Sequence, residues 1–129
     1  MNVGQAGPPL VKGQIVGGVL QGVGQILMED IQFDSDGQLV IGSFMDYAIP
    51  HALDLCNVDV FSRPTFTKTN PLGIKGAGEA GSVGAMPATA NAIVDALSEF
   101  GGRHIDMPAR FDKVWRAIHG HTGAEGISE

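Results

Sequence analysis

The sequence has little cysteine, and Cys56 is its single thiol. One cysteine cannot form a disulfide within the chain, and no Cys-x-x-Cys pair is present that would indicate a zinc or iron–sulfur site carried by this chain alone. This scarcity of cysteine is typical of a reducing compartment. We interpret Cys56 as a small buried apolar residue, which is the usual role of a free cysteine.

Positive charge is also scarce, because 8 Lys and Arg residues stand against 14 Asp and Glu residues, for a formal net charge of −6. With basic residues this few and this scattered, a surface that follows nucleic-acid phosphates is not expected. No apolar run reaches the roughly 18 residues that a membrane-spanning helix needs, and the first residues lack the basic and apolar regions of a secretory signal. The sequence therefore predicts a cytoplasmic protein with neither a nucleic acid nor a membrane as partner.

Glycine, in contrast, is abundant, with 19 glycines among 129 residues, roughly twice the ordinary usage of about 7%. The glycines form two clusters, residues 13–24 and 73–84, in which they alternate with apolar residues rather than with serine. That composition is not typical of a flexible linker. Because glycine lets the backbone come close to another group, the two clusters predict two backbone segments that are pressed against something.

We predict an α+β fold in which glycine-rich helices pack on short strands and a hairpin. Apolar residues at three- and four-residue steps indicate a helix over residues 12–30. Residues 31–44 alternate apolar and polar around an Asp36-Gly37 pair, which is typical of a β-hairpin. Residues 57–61 are expected to form a further short strand.

An alanine-rich run predicts a second long helix that begins at Gly81 and ends with Gly101 and Gly102 as its C-cap. Pro87 is expected either to kink this helix or to mark its true first turn. The two alternatives differ in where the helix begins.

The remaining segments carry weaker signals. Residues 103–107 are expected to form a short strand, and a helix is expected after Pro108. Residues 1–11 are predicted to be an irregular lead-in and residues 119–129 a frayed tail. Four aromatic residues are expected to lie in the core: Phe44, Tyr47, Phe111 and Trp115.

Glu79 carries the strongest chemical signal, because it is the single acid of the glycine-dense loop that precedes the second helix. Gly76, Gly78 and Gly81 satisfy the dinucleotide-binding pattern G-x-G-x-x-G. That pattern requires a buried strand directly before its first glycine, and here proline and glycine interrupt the preceding residues. Glu79 would also repel a pyrophosphate. A dinucleotide site is therefore disfavoured.

Two roles for Glu79 stay open at this point. An acid at a helix N-terminus can cap the first free amides and gains about 0.3 to 1 kcal/mol from the helix dipole. A general base held in a tight apolar pocket is the alternative. The flanking glycines and Lys75 favour the base, since capping does not need this density of backbone freedom.

Four segments carry a resemblance to a known family: GQIVGGVLQG (13–22), GSFMDYAIP (42–50), TNPLGIKGAGEAG (69–81) and RHIDMP (103–108). In this order they resemble the C-terminal end of the molybdopterin-binding large subunits of the xanthine dehydrogenase, aldehyde oxidase and carbon monoxide dehydrogenase family. The resemblance covers nearly the whole chain. The Gly-Glu-Ala-Gly variant is similar to bacterial members that use the cytosine dinucleotide form of the cofactor.

The resemblance implies a molybdenum hydroxylase, an oxidoreductase that hydroxylates an electron-poor carbon of an aldehyde or N-heterocycle with water as the oxygen source. Glu79 would be the base of that reaction. The implied cofactors are molybdopterin, as molybdopterin cytosine dinucleotide, with molybdenum, and iron–sulfur clusters and FAD on partner subunits. Residues 1–129 would be a single partial molybdopterin-binding domain, a fragment of the second molybdenum-cofactor-binding domain, with the remainder of the large subunit as a further partner.

The resemblance also implies contacts to the cofactor. Gln14 matches a glutamine that contacts the pterin, and a neutral amide suits a pterin edge because it both donates and accepts hydrogen bonds. Lys75, Gly76, Ala77 and Gly78 match a backbone stretch beside the cofactor. Gln14 could instead be a solvated helix residue and Lys75 an exposed loop charge. No residue is expected to bind the metal directly.

Large subunits of this family are several times longer, so the resemblance implies only one piece of a site. A site that lacks most of its contacting residues holds a metal cofactor poorly. The isolated chain is therefore expected to bind no molybdenum and to catalyse nothing. The alternative function is a stand-alone structural or interaction domain, such as a truncated gene product, that keeps the fold without catalysis.

Overall fold

The computed structural model describes residues 7–54 and 57–120, and their regular secondary structure is helical. The elements are, in chain order, α1 (Pro8–Leu27), a short 3₁₀ segment (Ala52–Asp54), α2 (Ala80–Ser98) and α3 (Phe111–Ile118). Within the described residues, no helix is both long enough and apolar enough to cross a membrane. A connection of about fifty residues separates α1 from α2, and its described residues form almost no regular structure beyond the 3₁₀ segment.

The predicted hairpin forms as a turn without strands. The Oδ1 atom of Asp34 accepts hydrogen bonds from the amides of Asp36 and Gln38 at 2.9 and 2.8 Å, and Gly37 has a φ of 77°. Beyond this turn, a single antiparallel bridge pairs Phe33 with Leu39. A local turn needs only its own residues, whereas strands need a buried face, and residues 31–40 are all exposed.

The other two predicted strands, at residues 57–61 and 103–107, are also wrong, since neither segment forms a strand in the described structure. A strand requires a neighbouring edge to pair its amides and carbonyls. The described residues offer no sheet edge, so both segments stay irregular. In the part of the chain that the structure describes, the β component of the predicted α+β class is therefore reduced to the Phe33–Leu39 bridge.

The first helix begins earlier and ends earlier than predicted. It starts at Pro8, so the irregular lead-in predicted for residues 1–11 is wrong for residues 8–11. Two prolines fit there because the first turn of a helix has no use for their missing N–H groups. The helix ends at Leu27, where the amides of the next two residues both donate to the carbonyl of Gly24.

Three sequence predictions fall on residues outside the described ranges. They concern residues 1–6 of the lead-in, the burial of Cys56, and residues 121–129 of the predicted tail. The first two residues of that predicted tail, 119 and 120, are described, and they form a turn after α3 ends at Ile118.

The second helix ends as predicted. The Gly101 amide donates to the Ser98 carbonyl at 3.1 Å and the Gly102 amide to the Leu97 carbonyl at 3.0 Å. With Gly101 at a φ of 80°, these two bonds form a Schellman motif. Pro87 lies well inside the helix, which begins at Ala80, so Pro87 does not mark the first turn.

Helices α1 and α2 run in the same direction and cross at their glycines. Gly18 lies against the backbone of Gly81, and one turn later Gly22 lies against Ala85. The contacts advance together along both helices, which fixes their common direction. The two glycine clusters predicted to press against something thus press, at these positions, against each other.

A small core continues from this crossing. Its most buried apolar residues are Ile26, Leu97, Ala109 and Ala85. The amide of Ala109 donates to the carbonyl of Ile26 at 2.6 Å, which joins the segment before α3 to the end of α1. This packing holds the beginning of α2, and the loop before it, at a fixed place beside α1.

Most large apolar side chains lie outside this core. Phe44, predicted to be core, is 91% exposed, and Phe111, also predicted to be core, is 85% exposed. Trp115 is 55% exposed, while Tyr47 is half-buried. Phe44, Phe111 and Trp115 therefore lie on the surface of the described chain and not in its core.

Candidate functional site

Glu79 lies at the N-cap of α2, where the glycine-rich loop turns into the helix. Its backbone carbonyl accepts hydrogen bonds from the Val83 amide and from Oγ of Ser82, both at 3.1 Å. Its carboxylate, in contrast, makes no capping hydrogen bond within the described part of the chain, and the residue is exposed. The interpretation of Glu79 as a side-chain cap does not match this geometry.

An open groove lies beside the carboxylate. It is lined by Gly76, Gly78, Glu79, Ala80 and Val83. A Cβ atom added at Gly76 or Gly78 would meet no other described atom within 4 Å. The groove thus combines bare backbone, two small apolar side chains and one carboxylate. Such a surface can take a bulky planar group against its backbone and leaves the acid free to act on it.

The loop that leads into the groove is folded by Asn70. Its Nδ2 group donates to the Ile74 carbonyl at 2.9 Å, and its Oδ1 atom accepts from the Ile74 amide at 3.1 Å. The Asn70 carbonyl also accepts from the Gly73 amide at 3.1 Å. This role of Asn70 was not predicted from the sequence. The available signal was an Asn directly before Pro71, since an Asn side chain can stand in for backbone in a turn.

The other predicted site residues lie around this groove rather than in it. Lys75 is exposed, and its Nζ group donates to Oγ1 of Thr65 at 3.1 Å. Ala77 is half-buried and Gln14 is exposed on α1. None of these three is among the described residues that line the groove. The structure therefore groups Gly76 and Gly78 with Glu79 but leaves Gln14, Lys75 and Ala77 outside the group.

Gln14 is nevertheless close in the fold to the start of α2. Gly81, two residues after Glu79, lies against the backbone of Ile15, which directly follows Gln14 in α1. The helix crossing thus sets the segment that contains Gln14 against the segment that contains Glu79.

Two groups away from this groove, Tyr47 and Asp30, have shifted pKa values because of polar contacts near the end of α1. The Tyr47 hydroxyl donates to Oε2 of Glu29 at 2.6 Å, and this bond raises the pKa of Tyr47 above its ordinary value. Gln32 donates to Asp30 at 2.7 Å and Arg110 lies 3.2 Å from it; the bond from Gln32, then the guanidinium, lower the pKa of Asp30. These contacts tie the connection and the start of α3 to α1.

Asp112 extends this polar cluster. Its Oδ1 atom lies 3.3 Å from Nε of Arg110, although the geometry does not qualify as a hydrogen bond. The contact is an ion pair without directional bonding, so we assign it a structural role. Within residues 7–54 and 57–120, no group of three His, Cys, Asp or Glu side chains is arranged to hold a metal ion.

Comparison with known proteins gives a consistent result. Residues 1–56 match a family described as molybdopterin cofactor-binding domain. The chain is 38% identical over 120 residues to the 6-hydroxypseudooxynicotine dehydrogenase complex subunit gamma of Paenarthrobacter nicotinovorans. It is 32% identical over 115 residues to the carbon monoxide dehydrogenase large chain of Hydrogenophaga pseudoflava. These matches cover 92% and 89% of this chain but 15% and 14% of the relatives.

A solved structure agrees with these sequence matches. The fold is similar to that of quinoline 2-oxidoreductase from Pseudomonas putida 86, with a TM-score of 0.79 and 36% identity. That match covers 87% of this chain and 14% of the other. The chain therefore spans about one seventh of the length of the proteins that it resembles.

Proposed function

The chain belongs to the xanthine dehydrogenase family of molybdopterin-binding large subunits, and we propose that it supplies Glu79 as the general base of a molybdenum hydroxylase. One observation carries the proposal. The Glu79 carboxylate makes no capping hydrogen bond within the described chain and borders an open, glycine-lined groove. An acid that only capped its helix would use its side chain for that purpose.

The residues beside Glu79 fit a molybdopterin cofactor in their chemistry. Gly76 and Gly78 present bare backbone to open space, and Gln14 carries an exposed amide that can both donate and accept hydrogen bonds. We propose that these three residues, with the backbone of Lys75 and Ala77, contact the pterin. The bound cofactor supplies the oxidation of the substrate, and the protein supplies binding, orientation and proton transfer. We propose molybdopterin cytosine dinucleotide as the form used.

Glu79 would take a proton from the water-derived oxygen that attacks the substrate carbon. Its backbone is fixed in the first turn of α2 by the bonds from Ser82 and Val83, while its carboxylate makes no competing capping bond among the described residues. Ala80 and Val83 give the groove an apolar edge. Once other protein covers that edge, bulk water would be excluded from the base.

The proposed substrate is an electron-poor carbon of an aldehyde or an N-heterocycle. Of these two classes we favour the N-heterocycle, because quinoline is one and the quinoline 2-oxidoreductase is 36% identical to this chain. This chain spans 14% of that protein, and we propose that the residues that select the substrate belong to the remainder of the protein.

We propose that residues 1–129 are one partial molybdopterin-binding domain, completed by the remainder of the large subunit and served by iron–sulfur and FAD subunits. The exposed apolar side chains support a covering partner, since Phe44 is 91% exposed and Met45 94% exposed. A stand-alone structural or interaction domain is the alternative, and no particular observation favours it. The cytoplasmic location stays a prediction.

The test is Glu79→Gln in the assembled enzyme. Loss of a general base typically costs about 10² to 10⁴ in rate, so kcat should fall by that factor while molybdenum content and the melting temperature stay unchanged. Glu99→Gln is the matched control, because Glu99 is an exposed acid at the other end of α2 and its exchange should leave kcat unaltered. Full activity in Glu79→Gln with normal molybdenum content would contradict the proposal.

A second measurement separates the two candidate functions. Purification of the chain from its native source, followed by determination of its mass in solution, should yield a large complex if the chain is part of a hydroxylase. A stable monomer without partners would favour the stand-alone domain.

A further inference from the structure

Gly81 occupies a place in the crossing where a side chain cannot be accommodated. A Cβ atom there would overlap the Ile15 carbonyl oxygen and would lie 2.8 Å from the Val19 amide nitrogen and 3.0 Å from the carbonyl carbon of Gly18. All three obstacles are backbone atoms of α1, so no side-chain rotation relieves the overlap. With any other residue at this position, the two helices must move apart.

Such a movement would be passed on to Glu79. Glu79 precedes Gly81 by two residues, and its carbonyl accepts hydrogen bonds from the Val83 amide and from Oγ of Ser82. Glu79 is thus bonded into the same helical turn that contains Gly81. A shift of that turn away from α1 carries the backbone of Glu79 with it.

The neighbouring Gly84 provides the contrast. It lies three residues further along α2, and a Cβ atom there would meet no other described atom within 4 Å. Gly84 is exposed, whereas Gly81 is buried. The same Gly→Ala exchange thus meets backbone at one position and open space at the other.

We propose that Gly81 is a positioning residue for Glu79: by letting α2 lie directly on the backbone of α1, it sets where the carboxylate stands. The inference rests on the proposed role of Glu79 as the base. It adds a residue that touches neither substrate nor cofactor yet controls the rate. Displacement of a catalytic group by 1 Å can cost about 10² in rate, so the effect is large enough to measure.

The experiment compares Gly81→Ala with Gly84→Ala in the assembled enzyme. Gly81→Ala should lower kcat by roughly 10- to 100-fold with KM and molybdenum content close to those of the unaltered enzyme. Gly84→Ala should change none of these quantities. Hydrogen exchange at the amides of residues 79–86, followed by mass spectrometry, should be faster in Gly81→Ala than in Gly84→Ala. Equal kcat values in the two variants would overturn the inference.

A double-mutant cycle separates positioning from a general structural effect. If Gly81 acts through Glu79, adding Gly81→Ala to Glu79→Gln should lower the residual rate no further. An equal loss in both backgrounds would show that the exchange damages the enzyme in another way, and would overturn the inference while leaving the base intact. Full activity of Glu79→Gln alone would overturn the proposed function and this inference together.

A milder pair of variants serves if Gly81→Ala does not assemble. A Cβ atom at Gly22, one turn further along the crossing, would lie 3.0 Å from the Met86 amide nitrogen and 3.1 Å from the Ser82 carbonyl oxygen, and its shortest contact would be 2.7 Å, to the Cβ atom of Ala85. Gly22→Ala should therefore lower kcat by about tenfold, and the added exchange Ala85→Gly should restore part of it because it removes that contact. Absence of any restoration, with normal molybdenum content, would contradict positioning by the crossing.

Discussion

The helix crossing and the loop before α2 are both rich in glycine, yet glycine serves opposite purposes in them. At Gly22 and Gly81 an added Cβ atom would strike the other helix, whereas at Gly76 and Gly78 it would meet no described atom within 4 Å. At the crossing, the atoms that the glycines contact belong to this chain. The loop presents its backbone outward, and this difference supports the proposal that the loop faces a cofactor held together with other protein.

The same contrast holds for the apolar residues. Ile26 and Leu97 are 2% and 3% exposed beside the crossing, while Leu53 in the connection is 98% exposed. The described chain thus builds a small core beside the crossing and leaves most of the described residues of the connection exposed. The fold around the crossing thus rests on contacts within this chain, whereas the connection leaves large apolar side chains such as Leu53 exposed.

The largest effect on stability is expected from replacing a leucine of the core by alanine, and a leucine of the connection serves as its comparison. Leu97→Ala in the purified chain should lower the free energy of unfolding by about 2 to 5 kcal/mol, since it leaves a cavity in the core. Leu53→Ala should change that free energy by less than about 0.5 kcal/mol. Urea denaturation measures both. Similar losses would mean that Leu53 is covered in solution, and the contrast between the regions would disappear.

The structural features that were predicted correctly are those that depend only on residues close together in the sequence. Helical periodicity identified α1 and α2, and the C-cap at Gly101 follows from the local backbone. The turn at Asp34 is equally local, because its side chain bonds the amides that follow it. Each of these structures forms from a few consecutive residues, whatever the rest of the protein does.

The wrong predictions concern strands and buried aromatic side chains, both of which depend on contacts with residues distant in the sequence. Strands at residues 57–61 and 103–107 need a sheet edge that the described chain does not provide. Phe44 and Phe111 need a covering layer, and both are exposed. For the candidate site, the role predicted for Glu79 and its neighbouring glycines stays a prediction, whereas the turn made by Asn70 is evident only from the hydrogen bonds of the folded loop.

A second test compares a glycine inside α2, Gly84, with a glycine of its C-terminal cap, Gly101. Gly101→Ala places a side chain at a φ of 80°, which costs about 1 to 2 kcal/mol for a residue with a Cβ atom. Gly84→Ala should instead stabilise the chain by about 0.5 to 1 kcal/mol, because alanine favours a helix and the space is open. Urea denaturation of the two variants should give shifts of opposite sign. Shifts of the same sign would contradict the assigned backbone conformation at Gly101 or the open space at Gly84.

The smallest effect is expected from Asp30, whose contacts fasten the connection to the packed region. The hydrogen bond from Gln32, followed by the guanidinium of Arg110, lowers the pKa of Asp30 below its ordinary value of 3.8. A carboxyl group whose pKa is lower in the folded state stabilises the fold above its unfolded pKa, and this contribution is lost as the pH falls through the folded value. Asp30→Asn should therefore lower the urea midpoint slightly at pH 7, and the difference from the unaltered chain should shrink as the pH falls below about 4. Asp59→Asn, a matched exchange at an exposed acid of the connection, should show a smaller difference at pH 7. A deficit of Asp30→Asn that persists unchanged at pH 2 would mean that the carboxylate charge does not hold the connection in place, and would leave that role to packing and to contacts such as the Tyr47–Glu29 hydrogen bond.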